Sequence, residues 1–462
     1  MNVTATMQTL QAENTAFLRE ISEIVPEFEP VRLGYEMHAQ IRELYPICRS
    51  ISGNGVRESL RRIQQWIPLE IHEVTSGTPV FDWVVPSEWN IRDAFVKNAK
   101  GQRIIDFQKS NLHVVNYSVP FRGKMRLAEL KTHLFTLPDR PDWIPYRTSY
   151  YSETWGFCLS HRDLLGLADE EYEVCVDSTL MPGHLTYGEY ILPGTSSDEV
   201  IVSTHVCHPS LCNDNLSGII VAANWARLLQ KIQGRRLTYR FLFIPGTIGA
   251  ITWLALNETN VVPRIRHGLV LSGVGDSGSF TYKKSRRGDA IVDRVVSHLL
   301  GQQALEGKVL DFSPYGYDER QFCSPGFNLP VGRLSRSVHG TFPEYHTSAD
   351  NLDFVLPDSL DETLRLCLMI FKVVEGNRVM VNLNPKCEPQ LGKRGLYRAI
   401  GGQADTGALE MAMLWVLNLA DGTRSLLDIS ERANMPFSAI ETAAKTLEQH
   451  HLLEERSFAE RA

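Results

Sequence analysis

The chain has 462 residues, more than one ordinary core holds, so two or three domains are expected. Its 43% hydrophobic and 22% charged residues are ordinary for a soluble globular protein, and no run of about 18 apolar residues exists to span a bilayer. A formal charge of -7 gives no global pull towards nucleic acid or anionic lipid.

The opening stretch "MNVTATMQTLQAENTAFLRE" lacks a basic segment followed by an apolar one, so no secretory signal is visible and the cytoplasm is the expected compartment. The eight cysteines are scattered without a CxxC pair, which predicts reduced thiols, most of them buried as small hydrophobes. From Gly34 to Trp66, apolar residues recur at spacings of three and four on either side of a Ser-Gly-Asn-Gly break, predicting two helices joined by a loop. Between Thr78 and Leu165, short runs such as "VFDWVV", "RIIDF" and "LHVVNYSVPF" alternate with turn residues, and "LPDRPDWIP" reads as a loop. Residues 78–165 are therefore expected to form a small β-rich inserted domain.

Beyond it, "YEVCVDST", "EVIVSTH", "RFLFIPG" and "HGLVLSGVG" read as strands, with the helical stretches "LSGIIVAANWARLLQ" and "AIVDRVVSHLL" among them. Strands alternating with helices argue for an α/β sheet, at least partly parallel, built from residues 31–77 and 166–384. After "NLNPKCEPQLGKRG" the character changes. Ile440, Ala443, Ala444 and Leu447 share one helical face, Met435-Pro436 marks the turn before that helix, and "HHLLEE" reads as a terminal strand. Residues 385–462 thus have the outline of a winged helix-turn-helix. Nine Lys/Arg against eleven Asp/Glu give this segment a balance of -2, which favours a protein partner over nucleic acid.

Two clusters carry chemistry. "STHVCHPSLCNDNLSG" follows a strand, so it delivers His205 to the carboxyl edge of the sheet, where ligands bind in open α/β folds. Imidazole and the Asp214 carboxylate are a common zinc set, although Asp214, Asn215 and Ser217 could equally cap the following helix. His208, followed by Pro209, is read as structural. The second cluster, "FPEYHTSADNLDFV", places Glu344, His346, Thr347 and Asp350 within seven positions.

With these stretches stand "EWNIRDAF", "SNLHVVNYSVP", "IPYRTSYYSETWGFC", "YDERQFCSPG" and "EPQLGKRGLY". Together they resemble the zinc-dependent aminopeptidase superfamily, which includes bacterial leucyl aminopeptidases and glutaminyl cyclases. They resemble more closely a bacterial aminopeptidase-like family with an inserted β domain and a C-terminal winged helix. The closer likeness runs from about Gly34 to Glu455. It implies an α/β fold with a mixed sheet flanked by helices, and metal-dependent hydrolysis of an amide bond in a peptide or an aminoacylated small molecule. Carried over by position, the superfamily's His-x-Asp, Asp-Asn-x-x-Gly and His-Thr-x-x-Asp elements imply His205, Asp214 and His346 as ligands to one zinc.

The departures are as informative. Cys207 stands where a carboxylate would orient the histidine. "FLFIPGTIGAI" aligns with a strand that ends in two glutamates, a general base and a ligand, and here those positions are Gly246 and Thr247. A further Asp aligns near Ser272, with Asp276 four residues on as a substitute. Three of five expected ligands survive, so one ion, or none, is expected rather than two. For the missing base the resemblance points to Asp318 and Glu319, with Glu319 as the candidate and an ion pair with Arg320 as its other reading. Arg147, Tyr150, Tyr151, Trp155 and Arg320 are the expected substrate contacts.

No GxxxxGK[ST], post-strand GxGxxG, HExxH or GxSxG is present, which removes the obvious nucleotide, zincin and serine-hydrolase readings. Two rivals remain: a catalytically degenerate binding protein, favoured by Gly246 and Thr247, and a DNA-binding regulator, disfavoured by the charge of the C-terminal segment. Self-association is left open by the sequence.

Overall fold

The computed structural model describes residues 30–302, 307–396 and 406–456. By internal packing these fall into two units, one of residues 30–293 with 307–367, the other of residues 294–302, 368–396 and 406–456. Among the described residues no helix is long and apolar enough to cross a membrane.

The larger unit is organised on an eight-stranded mixed sheet. Its strands are β1 (Glu70–Thr75), β2 (His184–Leu192), β3 (Glu199–His205), β4 (Thr238–Ile244), β5 (Ile265–Leu271), β6 (Phe280–Lys283), β7 (Gly307–Leu310) and β8 (Val331–Ser335). In space they lie in the order β1-β2-β4-β3-β5-β8-β6-β7. The central four, β4-β3-β5-β8, are parallel, while β2 runs antiparallel to β1 and β4, and β6 antiparallel to β8.

All seven residues of β3 are buried, which explains why "EVIVSTH" reads as a continuous run instead of alternating. Helices cover both faces. Neighbouring side chains of a strand point to opposite sides: Phe241 of β4 meets Trp225 of the helix Gly218–Lys231, and Leu242 packs in the cluster that holds Trp253 and Leu254 of the helix Ile248–Asn257.

Between β1 and β2 the chain leaves this sheet to build a second one, four-stranded and antiparallel. Its order is Arg103–Asp106, Glu88–Lys97, Glu171–Met181, Phe121–Arg126. This corrects two readings of the sequence. "YEVCVDST" lies in this smaller sheet and not in the α/β sheet, because its long strand pairs on both edges with residues of the inserted segment. "LHVVNYSVPF" is mostly irregular, with one short helical turn at Asn111–His113, and its apolar residues fill a core instead of a ladder. Trp155 belongs to that core, stacked between Phe121 at 4.2 Å and His133 at 3.8 Å. It is therefore a packing residue and not the substrate contact expected from the sequence.

One ion cluster joins the two sheets. Arg57, on the helix Asn54–Ile63, forks onto both oxygens of Glu88 at 2.8 and 2.6 Å and reaches Glu73 of β1 at 2.6 Å. The backbone N–H of His184, where β2 begins, donates to Glu88 at 3.0 Å.

In the second unit, Val379–Asn382 is the middle strand of a three-stranded antiparallel sheet with Asp421–Ser425 and Leu453–Glu455. Three helices, Thr406–Leu419, Leu426–Ala433 and Phe437–Gln449, complete a winged helix-turn-helix. Ile440, Ala443, Ala444 and Leu447 are fully buried, as their shared face predicts. Ser425 opens the second helix with a reciprocal capping box to Asp428. The sheet's middle strand precedes residue 385, where the sequence reading began this module.

Hydrogen bonds from Arg57 hold the Glu88 carboxyl down at about 2, against the opposing effect of its burial. A depressed folded value stabilises above the unfolded value near 4.5 and is lost as pH falls towards 2. Glu88→Gln should therefore lower stability by about 2 kcal/mol at neutral pH. In denaturant titrations the gap from the parent protein should close between these two pH values.

Candidate metal centre

His205 is the last residue of β3, between two parallel neighbours, and so stands at the carboxyl edge of the sheet. The chain then enters a tight loop, 206–217, before the helix Gly218–Lys231. That loop is fastened from several directions. Asn215 donates through its Nδ2 to Thr204 Oγ1 at 2.7 Å and to the Leu271 carbonyl at 3.2 Å, clamping it to the ends of β3 and β5. The fully buried Arg49 donates to the carbonyls of His208 at 2.7 Å and Pro209 at 2.8 Å. Asp350 accepts the backbone N–H groups of Asn213 at 2.6 Å and Asp214 at 2.9 Å. No side chain of this stretch caps the helix, so the capping alternative fails.

The result is a buried carboxylate ringed by imidazoles. Asp214 is 1% exposed; its Oδ1 lies 2.9 Å from His205 Nε2 and its Oδ2 2.9 Å from His346 Nε2. His208 Nε2 stands 3.8 Å from Oδ2, and Tyr317 donates to Oδ1 at 3.2 Å. Burial alone would raise the Asp214 carboxyl, but His208 and the hydrogen bonds of His205 and His346 outweigh it and hold the group well below the usual carboxylate range. Burial lowers His208 to about 3, keeping it neutral, the form that binds metal.

His205, His208 and Asp214 offer ligand atoms that all lie within 4.8 Å of one another, the one such group of three among the described residues. Donors around a tetrahedral zinc stand about 3.3 Å apart. Two imidazoles and a carboxylate are donor types that zinc takes, and these are gathered to within 4.8 Å of one another, wider than that spacing. The expected residues His205, Asp214 and His346 are brought together, His346 Nε2 standing 2.9 Å from Asp214 Oδ2 although outside that group of three. His208, taken from the sequence as structural, joins them, its Nε2 nearest the same oxygen at 3.8 Å. The signal was present as His-x-x-His within one loop.

Other expectations are redistributed. Both oxygens of Asp276 are committed, to Asn213 at 2.8 Å, Gly278 N at 2.7 Å, and Ser337, so it does not substitute as a ligand. Glu319 is fully buried against Lys283 at 2.6 Å and Arg333 at 3.6 Å, is not part of the lining of the cavity beside His205, and makes no ion pair with Arg320 among the described residues. Asp318, its neighbour, lines a cavity of about 280 Å³ with His205, His208, Tyr150, Tyr151 and Arg320. Burial pushes Asp318 up to about 6, and it accepts the Thr247 N–H at 2.6 Å. Cys207 and Gly246 share this wall; the buried thiol, raised to about 12 by burial, accepts the Gly246 N–H at 3.3 Å. A Cβ at position 246 would sit 3.3 Å from that sulfur, a tight contact.

Arg147 lies elsewhere, over the Phe135 ring at 4.2 Å, beside a separate cavity of about 580 Å³ lined also by Tyr146 and His346. Tyr146, which the sequence did not single out, presents its ring edge-on to both His208 at 5.2 Å and His346 at 5.0 Å. Its backbone N–H donates to the His346 carbonyl at 2.8 Å, tying the inserted segment to the second cluster.

Residues 38–377 match a family model described as a domain of unknown function, DUF4910. The chain belongs to this family. Residues 378–455 match a winged helix-turn-helix model. A Clostridium acetobutylicum protein, described as a candidate polysaccharide biosynthesis protein with an aminopeptidase-like domain, is 52% identical to this DUF4910 member over 420 residues, 91% of this chain and 96% of that protein. The crystal structure of a candidate peptidase from Clostridium acetobutylicum is 49% identical and covers 95% of this chain and 100% of the other, with a TM-score of 0.89. Two more distant structures share the fold alone, each with a TM-score of 0.53. The zinc aminopeptidase BSAP of Bacillus subtilis, at 13% identity, covers 74% of this chain and 94% of its own. A peptidase M28 precursor from Shewanella amazonensis SB2B, at 12% identity, covers 78% and 97%. The scaffold is thus aminopeptidase-like.

Asp350→Asn leaves the Asn213 or Asp214 N–H facing an amide donor in a dry interior. It should cost about 1–3 kcal/mol, read as a fall in the thermal midpoint; an unchanged midpoint would show that the loop does not depend on this carboxylate.

Proposed function

We propose that this protein is a single-metal hydrolase that cleaves an amide bond of a peptide or an aminoacylated small molecule. The observation that carries the reading is the buried donor set of His205, His208 and Asp214 beside a cavity that also holds a carboxylate, Asp318. Two imidazoles and a carboxylate suit zinc, which when bound would supply a Lewis acid and a more acidic water. Asp318 lines the same cavity, and its buried carboxyl, raised towards neutrality, would serve as the general base there. His346 and Tyr317 fix the orientation of Asp214. Tyr150, Tyr151 and Trp83 supply the apolar walls for the substrate. The name of the Clostridium acetobutylicum relative, which speaks of polysaccharide biosynthesis, lends weight to a small molecule over a long peptide.

A second reading is favoured by the wall at Gly246 and Thr247, which offers neither a base nor a ligand: a binding protein that keeps the cavity for recognition. For the winged helix-turn-helix, the -2 balance of residues 385–462 supports a protein partner over duplex DNA.

Elemental analysis of the purified protein should find one zinc per chain, and His208→Ala should weaken its uptake by at least about 10–100-fold. A parent protein that takes up no zinc would end the hydrolase reading and leave the binding-protein reading standing. Asp318→Asn should retain zinc while kcat against an amide panel falls by about 10²–10⁴-fold; full activity in that variant would remove Asp318 as the base.

A further inference from the structure

The cavity beside the metal centre is lined by a guanidinium, Arg320, that makes no ion pair with the carboxylate sharing that lining, Asp318. Arg320 sits in the short helical turn Glu319–Phe322 and lines the cavity with Asp318, Thr247 and His205. The acid next to it in sequence, Glu319, turns the other way and is taken by Lys283 and Arg333. Among the described residues no carboxylate lies within ion-pair distance of Arg320; its one hydrogen bond, from Nη2 to Thr247 Oγ1, is long at 3.5 Å, and its Nε is buried with no acceptor. Asp318, the one acidic side chain lining the cavity, spends Oδ1 on the Thr247 N–H at 2.6 Å. A guanidinium presents five donors in a planar fork that matches a carboxylate, and leaving buried donors unmet is costly. The cavity, about 280 Å³, is the size of a small ligand.

We infer that Arg320 and the Thr247 hydroxyl form an anion subsite, and that the cavity takes a ligand with a carboxylate close to its amide, an N-acyl amino acid, in preference to one with a free amine. This rests on the proposal that the cavity is the substrate site and narrows it to a chemical class. In the hydrolysis that follows, the carbonyl carbon gains a hydroxyl from water as its bond to nitrogen breaks. The remaining proton of the water goes to that nitrogen, releasing a carboxylic acid and an amino acid whose carboxylate stays on Arg320. Nothing is oxidised or reduced.

Binding is measured separately from turnover, so that a protein without catalysis still answers the question. Calorimetry on the full chain compares N-acetyl-L-leucine, its uncharged carboxamide, and leucinamide with its free amine. The carboxylate should bind at least about tenfold tighter than either amide, as a charge-assisted pair predicts. Arg320→Gln should erase the difference by weakening the carboxylate alone, and Arg320→Lys should restore part of it. Equal affinity for the three ligands, lack of binding by all of them included, overturns the subsite, as does a preference that survives Arg320→Gln in a variant with the parent's circular dichroism. Loss of zinc uptake or of hydrolysis with the preference intact would end the hydrolase reading and leave the anion subsite in place.

Discussion

A carboxylate buried to 1% exposure has to be met by donors or positive charge, and Asp214 imposes that requirement on the whole larger unit. It is met by His205 and Tyr317 at one oxygen and by His346 at the other, with His208 close by. These four groups come from three places far apart in the chain, so the end of β3, the stretch before the turn Glu319–Phe322 and the cluster before the helix Pro357–Gly376 must all be in place together. The loop carrying Asp214 is accordingly held by buried polar groups on every side: Asn215 to the strand ends, Arg49 to its carbonyls, Asp350 to its N–H groups. Such networks are stabilising only when fully satisfied, and this one is densely so.

The same scaffold shows how a change at one position constrains another. Cys207 and Gly246 touch, and a Cβ at 246 would meet the sulfur at a tight 3.3 Å, so the two departures read separately from the sequence are packed against each other. With no acidic groups at 246 and 247, Asp318 is the one carboxylate lining the cavity, and it stands outside ion-pair distance of Arg320. The likeness to zinc aminopeptidases extends to the fold.

Local pattern made a large part of this architecture legible. The buried parallel strands β3, β4 and β5 are continuous apolar runs, the helix Gly218–Lys231 is strongly periodic, and the face of Ile440, Ala443, Ala444 and Leu447 is fully buried where the 3.6-residue period put it. Edge and paired strands were harder. Glu171–Met181 has the composition of any strand, and which sheet it joins depends on partners some 50 to 90 residues away. Trp155 looked like a binding aromatic because an exposed ring and a core ring have the same letter.

By itself, the sequence determined the α/β character, the winged helix-turn-helix, and the presence of His205, Asp214 and His346 in chemically dense loops, because periodicity and residue type are local properties. Tertiary structure alone decided that His208 joins His205, Asp214 and His346 at the buried carboxylate, that Glu319 is held against Lys283 while Asp318 lines the cavity, and that Arg320 has no carboxylate within ion-pair distance among the described residues. Those outcomes depend on which way a side chain points after distant segments meet, and neighbours in sequence such as Glu319 and Arg320 are sent in opposite directions by a single helical turn.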